Sequence, residues 1–170
     1  MLYQLTNCRL SIDDVGAAFP NAKYIILYRE NLARQFVSHR LADITQQYAL
    51  RAGDNKKLTR ITVQPEELSK YCDETQEGYR ELLRHGWLQK CSVLLSYEEL
   101  VQNADLWLRQ EICPMLGIEA MAASTNFQKQ NSQPLDDVIT NYSQVEHLLP
   151  SCRQRLEWAH SNSTLTSVSP

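Results

Sequence analysis

In Lys23-Tyr24-Ile25-Ile26-Leu27-Tyr28 a lysine opens a continuous run of aliphatic, β-branched and aromatic side chains, and Arg29-Glu30-Asn31 follows it directly. After Asn31, apolar residues recur at spacings of three and four: Leu32, Phe36, Val37, Leu41, Ile44 and Tyr48. A continuous apolar run, unlike an alternating one, is the pattern of a strand buried on both faces. The periodic stretch predicts an amphipathic helix capped by Asn31 and running to about Leu50. Strand, tight turn and helix make half of a βαβ unit. The pattern then repeats, because Cys91 to Leu95 is a second buried-strand candidate and Tyr97-Glu98-Glu99-Leu100 follows it at once. Two such steps predict an α/β fold, a short parallel sheet flanked by helices with these two segments as its central strands.

The remaining segments fit around that sheet. Ser11-Ile12-Asp13-Asp14 offers a cap and an acidic first turn for a short helix through Phe19. Pro65-Glu66-Glu67 opens a long helix with Leu68, Tyr71, Cys72, Tyr79, Leu82 and Leu83 at helical spacing and Gly86 as its end. Arg51 to Arg60 reads as a loop, Ile61-Thr62-Val63 as a short strand or arm, and Asn103 to Gly117 as a helix bent or ended by Pro114. Ala120 to Gln133 is a polar loop, Pro134 to Ile139 and Val145 to Trp158 are closing helices, and 161–170 is a frayed tail. With 170 residues the chain predicts one domain over 1–160.

Composition removes several function classes. Seventeen Lys+Arg against twenty Asp+Glu leave a net charge of -3, with no global basic field for a nucleic-acid backbone. Charges or amides break every apolar run within about ten residues, short of the roughly 20 that span a bilayer. Met1-Leu2-Tyr3-Gln4 lacks a signal peptide's basic start and apolar core, so the chain reads as soluble and cytoplasmic. The five cysteines (Cys8, Cys72, Cys91, Cys113, Cys152) are odd in number and contain no CxxC pair, which disfavours a zinc site and a disulfide framework. The four histidines are equally scattered, and no metal site is expected.

In open α/β sheets, ligands sit beyond the carboxyl ends of strands, where the next helix presents free N–H groups to an anion. Arg29 occupies that place. Ser38, nine positions on, lies about two turns into the helix and reaches the same anion only if the chain folds back over the strand end. The alternative is a surface arginine and an ordinary helical serine. His39 falls beside Gln35 and Asp43 at spacings of four, a solvated face more than a catalytic position. Glu98 and Glu99 stand at a helix N-terminus, where the dipole favours carboxylates and a capping role.

The stretch from Phe19-Pro20-Asn21-Ala22-Lys23 through Arg29-Glu30-Asn31 to Arg34-Gln35-Phe36-Val37-Ser38 resembles the 3'-phosphate signature of PAPS-dependent sulfotransferases. The nine-residue step from Arg29 to Ser38 resembles the bacterial trehalose and Nod-factor branch. Leu94-Leu95-Ser96-Tyr97-Glu98-Glu99-Leu100, with Leu116-Gly117-Ile118 downstream, resembles the family's strand-"YE.L"-helix-"LG" segment, in which the tyrosine lies near the adenine. Lys129-Gln130-Asn131 through Asn141-Tyr142 is similar to its C-terminal basic loop. The resemblance implies a PAPS or PAP site on Arg29, Ser38, Tyr97 and Lys129, and sulfuryl transfer to a hydroxyl of a carbohydrate or small molecule. It also implies a departure: the family's N-terminal 5'-phosphosulfate loop has no counterpart here, and Met1 to Leu5 resembles the stretch that follows that loop. The expectation is an enzyme completed by another segment or chain, or a truncated nucleotide-binding or protein-interaction module. A sheet edge left open by the absent unit predicts a homodimer.

Overall fold

The computed structural model describes residues 10–122 and 132–158. Its first helix, α1 (Ile12–Ala18), starts in a capping box, with Ser11 and Asp14 exchanging side-chain and backbone hydrogen bonds. The chain then enters β1 (Tyr24–Tyr28), turns at Arg29-Glu30 and begins α2 (Leu32–Thr45). Asn31 caps α2 as predicted, its Oδ1 accepting the Arg34 N–H at 2.9 Å. After α3 (Pro65–Leu83) and α4 (Gly86–Cys91), β2 (Ser92–Ser96) returns parallel to β1, with Tyr24 opposite Ser92 and Tyr28 opposite Ser96. The two strands form a parallel sheet flanked by helices, the α/β architecture expected. Next come α5 (Tyr97–Trp107), a π-helical turn over Leu108–Ile112 and α6 (Cys113–Leu116). Pro114 accounts for that turn, since its ring cannot sit against the carbonyl of Gln110 in a regular α-helical ladder. The chain closes with α7 (Leu135–Val138), α8 (Tyr142–Val145) and a 3₁₀ turn at Glu146–Leu148.

Two apolar cores hold these elements. Ile26, Tyr28 and Leu94, on one face of the sheet, pack against Tyr79, Leu82 and Leu88. The inner face of α2, led by Leu32, Phe36 and Val37, packs against Val63 and against Leu68 and Cys72 of α3, as well as Val145 and Cys152 near the C-terminal end. Asn141 straps the latter region together, because its side chain accepts from Val63 N–H at 3.0 Å and donates to Val63 O at 2.8 Å.

Several expectations need correction. β1 is not buried on both faces: Ile25 and Leu27 are 47% and 45% exposed, since no helix among the described residues covers that side. Helix α2 stops at Thr45 and not near Leu50, because Gln46 adopts a left-handed conformation, φ 52°, that breaks the ladder and leaves Ile44 and Tyr48 exposed. Gly86 begins α4 and does not end α3, and Cys91 closes α4 and does not open β2. Val145 to Trp158 is not one helix: after a 3₁₀ turn at Glu146–Leu148 the chain makes local turns to Arg153, and the Cys152 carbonyl and Gln154 N–H pair with the β1–α2 turn instead of continuing a helical ladder. Contrary to the cysteine-spacing argument, Cys72 and Cys152 form a disulfide across 80 residues, with Cα atoms 5.4 Å apart. Spacing could not reveal it, because the fold alone brings α3 beside the C-terminal segment. Met1 to Leu5, Lys129 and the tail lie outside the described residues.

Candidate functional site

The turn between β1 and α2 lies at the carboxyl end of β1, next to the carboxyl end of β2, where α5 begins. Arg29 leaves that turn with its side chain 19% exposed. Its guanidinium carbon lies 3.4 Å from the centroid of the Tyr97 ring, a stacked cation–π contact. Arg29 and Tyr97, separated by 68 positions, are therefore brought together. Beside them, the Glu98 carboxylate accepts the Glu30 N–H on Oε2 at 3.0 Å and the Asn31 N–H on Oε1 at 3.5 Å. The same Oε1 stands 3.7 Å from Nη1 of Arg29. Capping of its own helix falls elsewhere, to Ser96, whose hydroxyl accepts the Glu99 N–H at 3.0 Å. The expectation that Glu98 merely caps α5 is corrected accordingly: its oxygens serve the neighbouring turn.

A C-terminal strap closes the other side of the turn. Leu32 N–H donates to Cys152 O, Gln154 N–H donates to Glu30 O, and Gln154 Nε2 donates to Arg29 O, at 2.8 to 2.9 Å. The disulfide ties this strap to α3, and Gln76 of α3 adds a bond from Nε2 to Ser151 O at 2.9 Å. An open cavity of about 250 Å³ lies along the strap, lined by Glu30, Arg153, Gln154 and Arg155. The buried Oε1 atoms of Gln35 and Gln154 have no hydrogen-bond partner among the described residues. Tyr71 of α3 completes the surroundings: burial pushes its phenol pKa up, and a hydrogen bond with Thr75 and, less strongly, the positive charge of Arg29 hold part of that rise back.

Ser38 sits half-buried in the middle of α2. Arg34, one turn before it, donates from Nη1 to Gln133 O at 2.9 Å, fastening the segment that follows 123–131 to the helix. His39 is exposed and lies 3.4 Å from Asp43, on the solvated helix face the spacing indicated. Glu98, Tyr71 and Gln154 were not singled out as partners of Arg29 by sequence. The signals for Glu98 were its places beside Tyr97 and at a helix start, and Gln154 gave none. Among the described residues no group of three or more His, Cys, Asp or Glu side chains could hold a metal ion, and no helix is long and apolar enough to cross a membrane.

Comparison with curated proteins and with solved structures gave no match. A family model for the sulfotransferase family does match, over residues 5–122. That span includes both strands, the β1–α2 turn, Arg29, Ser38, Tyr97 and Glu98, and ends before Lys129. Because it covers well over half of the 170 residues and the strand–turn–helix elements within it are those just described, the chain belongs to the sulfotransferase family.

Proposed function

We propose that the β1–α2 turn binds the 3'-phosphate of a 3'-phosphoadenosine nucleotide, PAPS or PAP, and that the chain serves sulfuryl transfer to a hydroxyl of a carbohydrate or small molecule. One observation carries this reading: Arg29, at the carboxyl end of a central strand, is fixed on the Tyr97 ring at 3.4 Å with its side chain still 19% exposed. A planar cation held in this way is suited to forked hydrogen bonding with a phosphate. Ser38 is the second ligand in this reading. Lys129, which lies outside the described residues, is the third, on the resemblance of its segment to the family's C-terminal basic loop. The second face of Tyr97 is offered to the adenine. The nine-residue step from Arg29 to Ser38 favours the bacterial trehalose and Nod-factor branch.

The 3'-phosphate is remote from the sulfur. Its ligands contribute affinity and orientation, whereas transfer also needs donors at the bridging and sulfuryl oxygens, where charge develops. In this reading those donors lie outside the described residues or on a second chain. A titration calorimetry comparison of adenosine 3',5'-bisphosphate with AMP tests the phosphate reading. The bisphosphate is expected to bind at least about tenfold more tightly, the scale of one charge-assisted hydrogen bond. Equal affinities, or none for either, would remove the reading.

A homodimer is the second element of the proposal, supported by the half-exposed Ile25 and Leu27 on the uncovered face of β1. Light scattering at micromolar concentration is expected to give a mass near twice 19.6 kDa. A concentration-independent mass of one chain would refute it.

A further inference from the structure

We propose that Glu98 is a positioning residue for Arg29: held by the backbone of the β1–α2 turn, it fixes the guanidinium against the Tyr97 ring with its remaining donors open to a phosphate. The proposal rests on the reading of Arg29 as the phosphate ligand. A carboxylate beside an anion-binding arginine could instead be a competitor that fills the site itself, and the distances decide between the two roles. Oε2 is engaged by the Glu30 N–H at 3.0 Å, while Oε1, shared with the Asn31 N–H, stands 3.7 Å from Nη1 of Arg29. That separation is an ion pair without a hydrogen bond. Nε and Nη2 have no other side-chain partner among the described residues. Glu98 thus restrains the arginine from one side without consuming its donors, and Tyr97 restrains it from below. Because Glu98 belongs to α5 and Arg29 follows β1, the pair also locks together the carboxyl ends of the two strands.

The full chain and three variants, Arg29→Ala, Glu98→Ala and the double variant, are titrated with adenosine 3',5'-bisphosphate and with AMP. The ligand-free proteins are compared by the arginine Nε–H signals of 15N-labelled samples. Glu98→Ala is expected to weaken bisphosphate binding roughly tenfold, to leave AMP binding within about twofold, and to add nothing in the Arg29→Ala background, since both changes remove one interaction. In the ligand-free protein it shifts and broadens the Arg29 Nε–H signal. Glu98→Gln, which keeps one oxygen for one of the two backbone N–H groups but loses the second acceptor and the charge beside Arg29, is expected to weaken bisphosphate binding about threefold, again with no further loss in the Arg29→Ala background, and it carries the same cycle if the alanine variant does not fold. Unchanged or tighter bisphosphate binding in Glu98→Ala would overturn the proposal in favour of a competitor. Equal losses for both nucleotides, or the same loss with and without Arg29, would overturn it in favour of a merely structural role. If the wild-type chain itself does not prefer the bisphosphate, the phosphate reading fails. The Arg29 signal then decides the positioning claim, which stands if Glu98→Ala moves it and falls if it does not.

Discussion

Replacing both Cys72 and Cys152 by alanine is expected to lower the unfolding free energy by about 4 kcal/mol. The bond closes a loop across 80 residues, and the entropy it removes from the unfolded chain scales with the logarithm of that length. Both sulfurs are buried, in the core shared by α2 and α3. The effect should not stay local. Cys152 accepts the first N–H of α2, and Gln154 two residues on holds the carbonyls of Arg29 and Glu30, so a loosened strap releases the turn that carries the phosphate ligand. Urea melts of the variant against the oxidised protein measure the first effect, and nucleotide titration measures the second. A loss under about 1 kcal/mol would mean that the hydrogen bonds and the apolar core hold the strap unaided. Disulfides persist in oxidising compartments and are rare in the reducing cytosol, so the redox state around the chain decides whether the strap is tied.

Arg29→Ala is expected to weaken binding of adenosine 3',5'-bisphosphate by about 1.5–3 kcal/mol, the range for hydrogen bonds to a charged group, while changing AMP affinity little. Its effect on stability should be small. The side chain is partly exposed, and Glu98 keeps its two backbone donors when the guanidinium is gone. Arg29→Lys should recover only part of the loss, because an ammonium retains the charge but neither the planar face for Tyr97 nor the fork for phosphate. Lys90→Ala, in the last turn of α4 and away from the site, is the matched control for loss of one positive charge. Parallel losses in Arg29→Ala and Lys90→Ala would indicate a diffuse electrostatic effect and no ligand at Arg29.

The parts of this fold legible in the sequence are those with local causes. The cap at Asn31, the cap at Ser11, the helical spacing of α3 and the two strand-to-helix steps all follow from residues within a few positions of one another. The misread parts depend on distant partners. Burial on both faces of β1 requires a second layer, and hydrophobicity alone does not say whether one is present. The segment after Val145 has enough apolar residues to suggest a helix, yet its backbone pairs with a turn more than 100 positions earlier. The same reasoning holds at the site. Arg29 and Tyr97 were marked by their places after two strands, and the parallel register of β1 and β2 puts those places side by side. The partners of Glu98 are set by the fold, because one carboxylate at a helix start serves its own amides or a neighbour's equally well by sequence.

The most direct test of the central claim is the 31P spectrum of adenosine 3',5'-bisphosphate as the protein is added. The two phosphates give separate resonances, and the account predicts that the 3' signal shifts and broadens first and that Arg29→Ala abolishes this change. A spectrum in which only the 5' signal responds, or in which Arg29→Ala behaves as wild type, would contradict it.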